Sequence, residues 1–168
     1  MLRNVIHLII FCAIALTAGE FQLDIRMDNA QVEKVILGCA SNATNGFDAG
    51  KDIVIPPMGM GTAIVGFLQE GSDNQLYCDL KSTKLPVIWK LRCILPTMPA
   101  IPNVPQPPKS LRLDWEPSQI SPDVQLTYSI NGGKAVDMRL FTFTRIKTNC
   151  DIIFTATPKP AQPAPTAP

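Results

Sequence analysis

Cysteine and histidine are the residue types of this chain that most readily supply a nucleophile, a metal ligand or a redox pair. The 168 residues include five cysteines and one histidine. His7 and Cys12 lie in an apolar N-terminal segment that has the features of an export signal, so the exported chain would keep four cysteines and no imidazole. This absence argues against a histidine base, a nucleophile relay and a histidine metal site.

The four remaining cysteines are predicted to form a disulfide framework. Cys39, Cys78, Cys93 and Cys150 include no CxxC pair and match no zinc-site spacing. In an oxidising compartment, an even set of cysteines is most simply explained by disulfides. Because Cys78 and Cys93 fall on consecutive predicted strands, we expect them to pair, and by elimination Cys39 would pair with Cys150. Four cysteines allow three connectivities, so the alternatives stay open.

The segment from Asn42 to Asp52 gathers oxygen-bearing side chains and turn glycines. Asp48 and Asp52 are ligand types that Ca²⁺ accepts, but the spacing differs from an EF-hand loop and Lys51 lies among them. We therefore predict a turn cluster, with a calcium site as the alternative. Asn42 also begins an Asn-Ala-Thr sequon, which would carry a glycan if the source organism modifies such sites.

Aromatic and acidic side chains offer two further kinds of site. Trp89, Trp115 and Tyr128 share the parity of aliphatic neighbours and are predicted to be core, whereas Tyr77 is out of phase and is the candidate ligand surface for a sugar. An acid pair for glycoside hydrolysis would come from acids that we expect on the solvent face of the strands. These are Asp79, Asp114, Glu116, Asp123 and Asp137. No GxSxG, HExxH, Walker or Rossmann motif occurs, so we expect no enzyme, cofactor or metal.

The elements that must position these side chains are predicted to be β-strands. Apolar and polar residues alternate with the period of a half-buried strand in seven segments. They are 21–27, 35–39, 76–80, 87–95, 111–115, 124–130 and 150–156. Residues 62–68 are apolar on both faces and predict a central strand, with a short buried helix as the alternative.

Turn residues and a phase shift predict how the later strands are joined. Asn131-Gly132-Gly133 is typical of a hairpin turn leading into a strand at 135–138. The apolar phase then shifts between Leu140 and Phe141, which predicts a bulge or a strand break. No segment of ten or more residues shows helical spacing with caps, so we predict an all-β fold.

The number and length of these strands favour a two-sheet antiparallel β-sandwich, with a closed β-barrel as the alternative. We expect a signal peptide at 1–19, a single domain at 20–156 and a disordered tail rich in proline and alanine at 157–168. The domain would contain a proline-rich connector at 96–108. Its prolines recur at every third residue, which suits a stiff polyproline II rod, with a ligand for an aromatic groove as the alternative.

Composition and charge limit the compartment and the partners. A chain that is 46% hydrophobic and 17% charged is too apolar to be disordered. Loss of the signal removes Arg3 and no acid, which takes 15 basic and 14 acidic residues to 14 of each. This balance argues against nucleic acid or anionic lipid as a partner. We expect a secreted, periplasmic or cell-surface protein with no stable membrane span after cleavage, and an uncleaved anchor is the alternative.

Three segments carry a resemblance to a known kind of module: 46–57, 87–91 and 110–115, the last continuing into a hairpin that ends at 136–139. Together they resemble the immunoglobulin-like or fibronectin-like β-sandwich modules of bacterial secreted and cell-surface proteins, over about residues 33–156. The resemblance implies a domain that spaces or attaches other domains without chemistry of its own. The four cysteines depart from that pattern.

These observations favour a non-enzymatic exported protein that acts through its surface. We expect a structural, adhesion or interaction component of the cell envelope or of an extracellular assembly, with a protein or envelope component as its partner. A carbohydrate-binding module, with a glycan as its partner, is the alternative.

Overall fold

The computed structural model describes residues 19–28, 30, 32–56, 63–96 and 109–160. Within these ranges the chain forms eleven strands and one 3-10 turn, Pro117–Gln119. The strands are β1 (Phe21–Met27), β2 (Lys34–Cys39), β3 (Ile53–Val54), β4 (Ile64–Leu68), β5 (Gln75–Lys81), β6 (Val87–Ile94), β7 (Leu111–Asp114), β8 (Val124–Ile130), β9 (Val136–Asp137), β10 (Phe143–Ile146) and β11 (Cys150–Pro158). The predicted all-β class is confirmed.

All eleven strands belong to one sheet, which curls into a half-barrel. Its order is β10-β7-β1-β2-β5-β4-β6-β11-β8-β9, and β3 pairs with β5 outside this path. Every neighbouring pair is antiparallel except β2 and β5, which run parallel with Ile36 opposite Cys78. Residues 40–74 separate β2 from β5, which gives the long connection that a parallel pair requires. The sheet is therefore mixed, which corrects the purely antiparallel prediction, and a two-sheet sandwich is not confirmed.

The inner face of the curled sheet forms the main core. Alternate residues of β1 are buried at Phe21, Leu23 and Ile25, and the same alternation runs along β6, β8 and β11. Phe67 of β4 meets Phe154 of β11 edge to face, with ring centroids 6.4 Å apart. The predicted central strand at 62–68 is confirmed as β4, which lies between β5 and β6.

Strand β5 reverses its phase partway along. Its register against β3 shifts between Leu76 and Cys78, which marks a bulge. Leu76 packs in the main core, whereas Cys78 and Leu80 pack with Ala43 in a second, small cluster outside it. The prediction that all three residues of β5 face one core is therefore wrong, because a bulge turns the following side chains to the other face.

The two ends of the curled sheet, β9 and β10, are consecutive in the chain. Residues 138–142 connect β9 to β10, and residues 115–123 connect β7 to β8, so both connections cross the gap between the ends. We call this region the seam. The bulge or strand break that the phase shift predicts is a strand break, since β9 ends at Asp137 and β10 begins at Phe143.

The predicted tail begins later than expected, and parts of three predicted segments lie outside the described residues. β11 continues to Pro158, which lies opposite Val124, so residues 157 and 158 belong to the sheet and not to the predicted tail. The predicted signal peptide up to residue 18, residues 97–108 of the connector and residues 161–168 of the tail lie outside the described residues. In the described ranges no helix is long and apolar enough to cross a membrane.

Candidate interaction surface

The four cysteines do not pair as predicted. Cys78 lies on β5 and Cys93 on β6, but β4 lies between these strands. Cys39 on β2 is separated from Cys150 on β11 by β5, β4 and β6. All four thiols are buried and free. Both predicted pairings are wrong, because the order of the strands in the sheet differs from their order in the sequence.

The loop at 42–52 uses its carboxylates to hold its own backbone. Asp48 accepts hydrogen bonds from the backbone N–H and the hydroxyl of Thr44, at 2.5 and 3.1 Å. Asp52, which is buried, accepts from the backbone N–H groups of Asp48 and Leu80, at 2.6 and 2.9 Å. Among the described residues no group of three or more histidine, cysteine or acidic side chains is placed to hold a metal. These bonds are those of a structural turn cluster.

Asp79 forms a buried ion pair with Lys81. Lys81 Nζ lies 3.5 Å from Asp79 Oδ2, and it also donates to the Asn45 carbonyl at 3.0 Å. The parallel register sets Asp79 beside Leu37 of the main core, so its side chain shares the inner face of the sheet. Burial raises the pKa of Asp79 to about 6, although the Lys81 charge opposes this shift. The expectation of a solvent-facing Asp79 is therefore wrong, and the bulge in β5 is the reason.

Three of the four tryptophan and tyrosine side chains are buried as predicted, and the fourth, Tyr77, is half-buried. Trp89, Trp115 and Tyr128 are buried, and each indole N–H donates to a backbone carbonyl. Tyr77, the predicted ligand surface, is half-buried and packs against both clusters. Its ring is therefore less open to a stacking sugar than its sequence phase suggests.

A small depression on the outer face of β1 and β7 gathers several charges. Its volume is about 80 Å³, which holds only a few waters. The lining residues are Asp24, Arg26, Asp114, Trp115, Glu116 and Gln119. Asp24 pairs with Lys34 at 2.8 Å, and Asp114 pairs with Arg112 at 2.6 Å. Two of the three carboxylates that line the depression are therefore paired with a basic side chain.

The seam carries a cluster of exposed apolar side chains. Leu140, Phe141 and Phe143 are 74%, 53% and 46% exposed, and we call these three residues the seam patch. The Arg112 guanidinium lies over the Phe143 ring, 4.2 Å from its centroid. Arg112 also holds Asp114 through two nitrogens, so a fixed ion pair borders the patch.

Hydrogen bonds to buried groups position the seam patch. The Trp115 backbone N–H donates to the Thr142 carbonyl at 2.9 Å, and the Leu140 N–H donates to the Asp137 carbonyl at 3.2 Å. Arg139 turns inward and donates to the Ser121 carbonyl at 2.6 Å. The backbone at 139–142 is therefore held from both sides while its apolar side chains face solvent.

Among the described residues, the seam patch is next to a strand edge that has no partner strand. β10 is the end strand of the sheet that the described residues form, and it pairs with β7 through Phe143 to Ile146. In the part of the chain that the structure describes, no strand pairs with its other edge, so backbone N–H and C=O groups there are available for an added strand. An apolar patch beside an open edge can bind both the side chains and the backbone of a partner.

Sequence reasoning missed the seam patch, although a signal was present. By itself, the phase shift between Leu140 and Phe141 predicts only a bulge or a strand break. Large apolar residues of both parities around a break cannot all enter one core, so some of them must be exposed. No family model, curated protein or solved structure matches the chain.

Proposed function

We propose that this protein is a non-enzymatic exported protein that acts as a structural, adhesion or interaction component of the cell envelope or of an extracellular assembly. It binds a protein or envelope partner through the seam patch and the free edge of β10. It acts in a secreted, periplasmic or cell-surface location, and it uses no cofactor.

The observation that carries this proposal is the exposure of the seam patch on a backbone held in place. Single exposed apolar residues are ordinary on protein surfaces, but three on one short segment are typical of a binding site. Phe143 beside Arg112 adds an aromatic ring with a cation, a combination enriched at interfaces. Because the seam is already ordered, binding would cost little conformational entropy.

The placement of the acids supports a non-enzymatic role. Asp79 pairs with Lys81, and Asp114 pairs with Arg112. Asp137 accepts a hydrogen bond from the Arg139 backbone N–H at 2.8 Å. These three acids of the proposed hydrolase set are thus engaged in internal contacts.

The kinship with immunoglobulin-like or fibronectin-like sandwich modules is part of this proposal. Two of the segments that carry the resemblance lie in β6 and at β7, next to the core tryptophans Trp89 and Trp115. A carbohydrate-binding role, the alternative, would depend on Tyr77, since both tryptophans are buried.

The test uses the purified secreted protein and envelope fractions of its source organism. Leu140→Ser with Phe141→Ser removes most of the seam patch, and Ile88→Ser is the matched control because Ile88 is 58% exposed elsewhere, on β6. We expect the wild type to co-sediment with the envelope or to self-associate in sedimentation velocity. The double variant should lose at least about tenfold in affinity, as expected when apolar contacts worth more than 1.4 kcal/mol are removed.

The control decides how the result is interpreted. Ile88→Ser should bind as the wild type does, and circular dichroism should show all three proteins folded. A monomeric wild type that binds no envelope fraction, or equal binding by all three proteins, would contradict the proposal.

A further inference from the structure

Cys93 and Cys150 face each other at one end of the half-barrel. They are direct partners in the antiparallel ladder between β6 and β11. Opposed residues in such a ladder have Cα atoms about 4.5–5.5 Å apart, inside the range that a disulfide spans. Rotation of the two side chains can therefore join the sulfurs without moving either strand. Cys39 and Cys78 have no cysteine opposite them.

The two thiols differ in access and in acidity. Cys93 is fully buried, whereas Cys150 begins β11 after three exposed residues and is 7% exposed. The Cys93 thiol hydrogen-bonds to the Cys150 sulfur, which lowers the pKa of Cys150 and raises that of Cys93. The outer sulfur is thus the better thiolate, and the inner sulfur lies behind it. In thiol–disulfide exchange, this arrangement suits Cys150 as the thiol that first attacks an external disulfide, and Cys93 as the thiol that then attacks the Cys150 sulfur.

We propose that Cys93 and Cys150 are a redox modification site, at which a disulfide such as oxidised glutathione converts two opposed thiols into a cross-strand disulfide. The Cys150 thiolate attacks one glutathione sulfur, which forms a mixed disulfide and releases the first glutathione thiolate. The Cys93 thiolate then attacks the Cys150 sulfur and releases the second. The two cysteines lose two electrons and two protons, and one glutathione disulfide becomes two glutathione thiols.

Oxidation would tie together two elements that are far apart in the sequence. Cys93 lies three residues before Pro96, where the proline-rich segment begins, and Cys150 begins the strand that leads to the C-terminal segment. Asp151, next to Cys150, already bridges to β6 through Lys90 at 2.9 Å and Arg92 at 3.0 Å. A disulfide would add a covalent link to this contact between β6 and β11, at the end of the ladder where β6 finishes and β11 begins.

Peptide mapping of the full chain tests the linkage. Trypsin places the four cysteines on separate peptides, 35–51, 52–81, 93–109 and 148–168. The protein is incubated with oxidised glutathione, alkylated in denaturant, digested and analysed by mass spectrometry without reductant. We expect peptides 93–109 and 148–168 to be joined, two hydrogens lighter than the sum of the free peptides. The other two peptides should carry the alkyl group.

Single variants test the order of attack. Cys93→Ser should trap glutathione on Cys150, because no second thiol remains to displace it, whereas Cys150→Ser should leave Cys93 unmodified. Cys39→Ser and Cys78→Ser are the matched controls and should form the linkage as the wild type does. Oxidation should also raise the Tm of the wild type by about 10 °C, reversibly with dithiothreitol, because it closes a long loop.

The wild-type map alone can overturn the proposal, even if a variant fails to fold. Cys93 joined to Cys39 or Cys78, or both Cys93 and Cys150 alkylated after oxidation, would contradict it. An oxidised protein whose Tm does not rise would show that the disulfide does not stabilise the fold.

Discussion

The indole of Trp115 donates a hydrogen bond to the carbonyl oxygen of Met138, at 2.9 Å, across the seam of the curled sheet. Trp115 follows β7, near one end of the sheet, and Met138 follows β9, at the other. Both residues are buried. Trp115 also meets the Tyr128 ring of β8 edge to face, with centroids 5.5 Å apart. One side chain therefore connects the two ends of the half-barrel.

Replacing Trp115 with phenylalanine should weaken the seam. The Met138 carbonyl would stay buried without its donor, which costs about 1–3 kcal/mol of unfolding free energy. Urea denaturation measures this loss. Hydrogen exchange locates it, because the amides of residues 115 and 140 bond to carbonyls in the same region and should exchange faster.

The matched control is Trp89→Phe, since Trp89 makes the same kind of bond, to the Asp79 carbonyl at 3.0 Å, away from the seam. It should cost a similar free energy while leaving exchange at residues 115 and 140 relatively slow. Equal acceleration of these amides in both variants would mean that Trp115 has no special role in closing the sheet.

Arg139 should contribute more to stability than an ordinary surface arginine. Its Nη2 group donates to the carbonyls of Ile120, Ser121 and Val124, at 3.2, 2.6 and 3.3 Å. Arg139→Met should remove about 3 kcal/mol from the unfolding free energy, because charged donors to partly buried carbonyls are lost. Chemical denaturation with urea measures this change.

Arg145→Met is the comparison for this prediction. Arg145 is exposed and makes one side-chain hydrogen bond, to the Ser110 hydroxyl at 3.2 Å. Its replacement should change the unfolding free energy by less than about 0.5 kcal/mol. Similar losses in the two variants would contradict a seam role for Arg139.

Gly38 should tolerate no side chain, because β1 lies directly against it. A Cβ atom at this position would overlap the Phe21 carbonyl oxygen and lie 3.1 Å from Gln22 Cα, and both neighbours are backbone. Gly38→Ala must therefore separate β1 from β2, at a cost of about 3 kcal/mol in unfolding free energy. Thermal and urea unfolding of the variant test this expectation.

Gly132→Ala is the control that distinguishes a steric clash of the added Cβ atom from an unfavourable backbone conformation. Gly132 has φ +72° in the hairpin turn, and a Cβ there would meet no atom within 4 Å. Its replacement should lower the unfolding free energy by only about 1 kcal/mol, because alanine is less stable than glycine in the left-handed conformation. If this variant were as unstable as Gly38→Ala, the contact with β1 would not explain the result.

Much of the strand pattern could be predicted from the sequence, because burial alternates locally along each strand. β8 keeps this alternation from Val124 to Tyr128 and β11 from Cys150 to Ala156, and the buried residues of both stretches match the prediction. The turn at Asn131 and Gly132 was also predictable, since both residues have positive φ in the structure. These features depend on neighbours within a few residues.

The order of strands and the phase of β5 could not be predicted in this way. Cys78 and Cys93 lie on consecutive apolar-polar alternations, yet β4 pairs between their strands. The bulge that turns Asp79 inward depends on pairing with β3, more than twenty residues earlier. The cysteine pairing and the buried acid were therefore missed for one reason: each depends on contacts between distant segments.

The buried Asp79 should make stability depend on pH in an unusual direction. Burial raises its pKa from 3.8 to about 6 in the folded protein. A raised pKa means that the folded state binds the proton more tightly than the unfolded state does. The stability gained from this proton is present at low pH and is lost as the pH rises through about 6.

Asp79→Asn should remove this dependence. Between pH 7.5 and pH 5, the wild type should gain about 1 kcal/mol of unfolding free energy relative to the variant. Urea denaturation at pH 5, 6 and 7.5 measures the difference. Asp123→Asn, which changes an exposed carboxylate, is the control and should show no such trend. A difference between wild type and Asp79→Asn that stays constant over this range would mean that Asp79 is solvated, and that β5 does not turn it into the half-barrel.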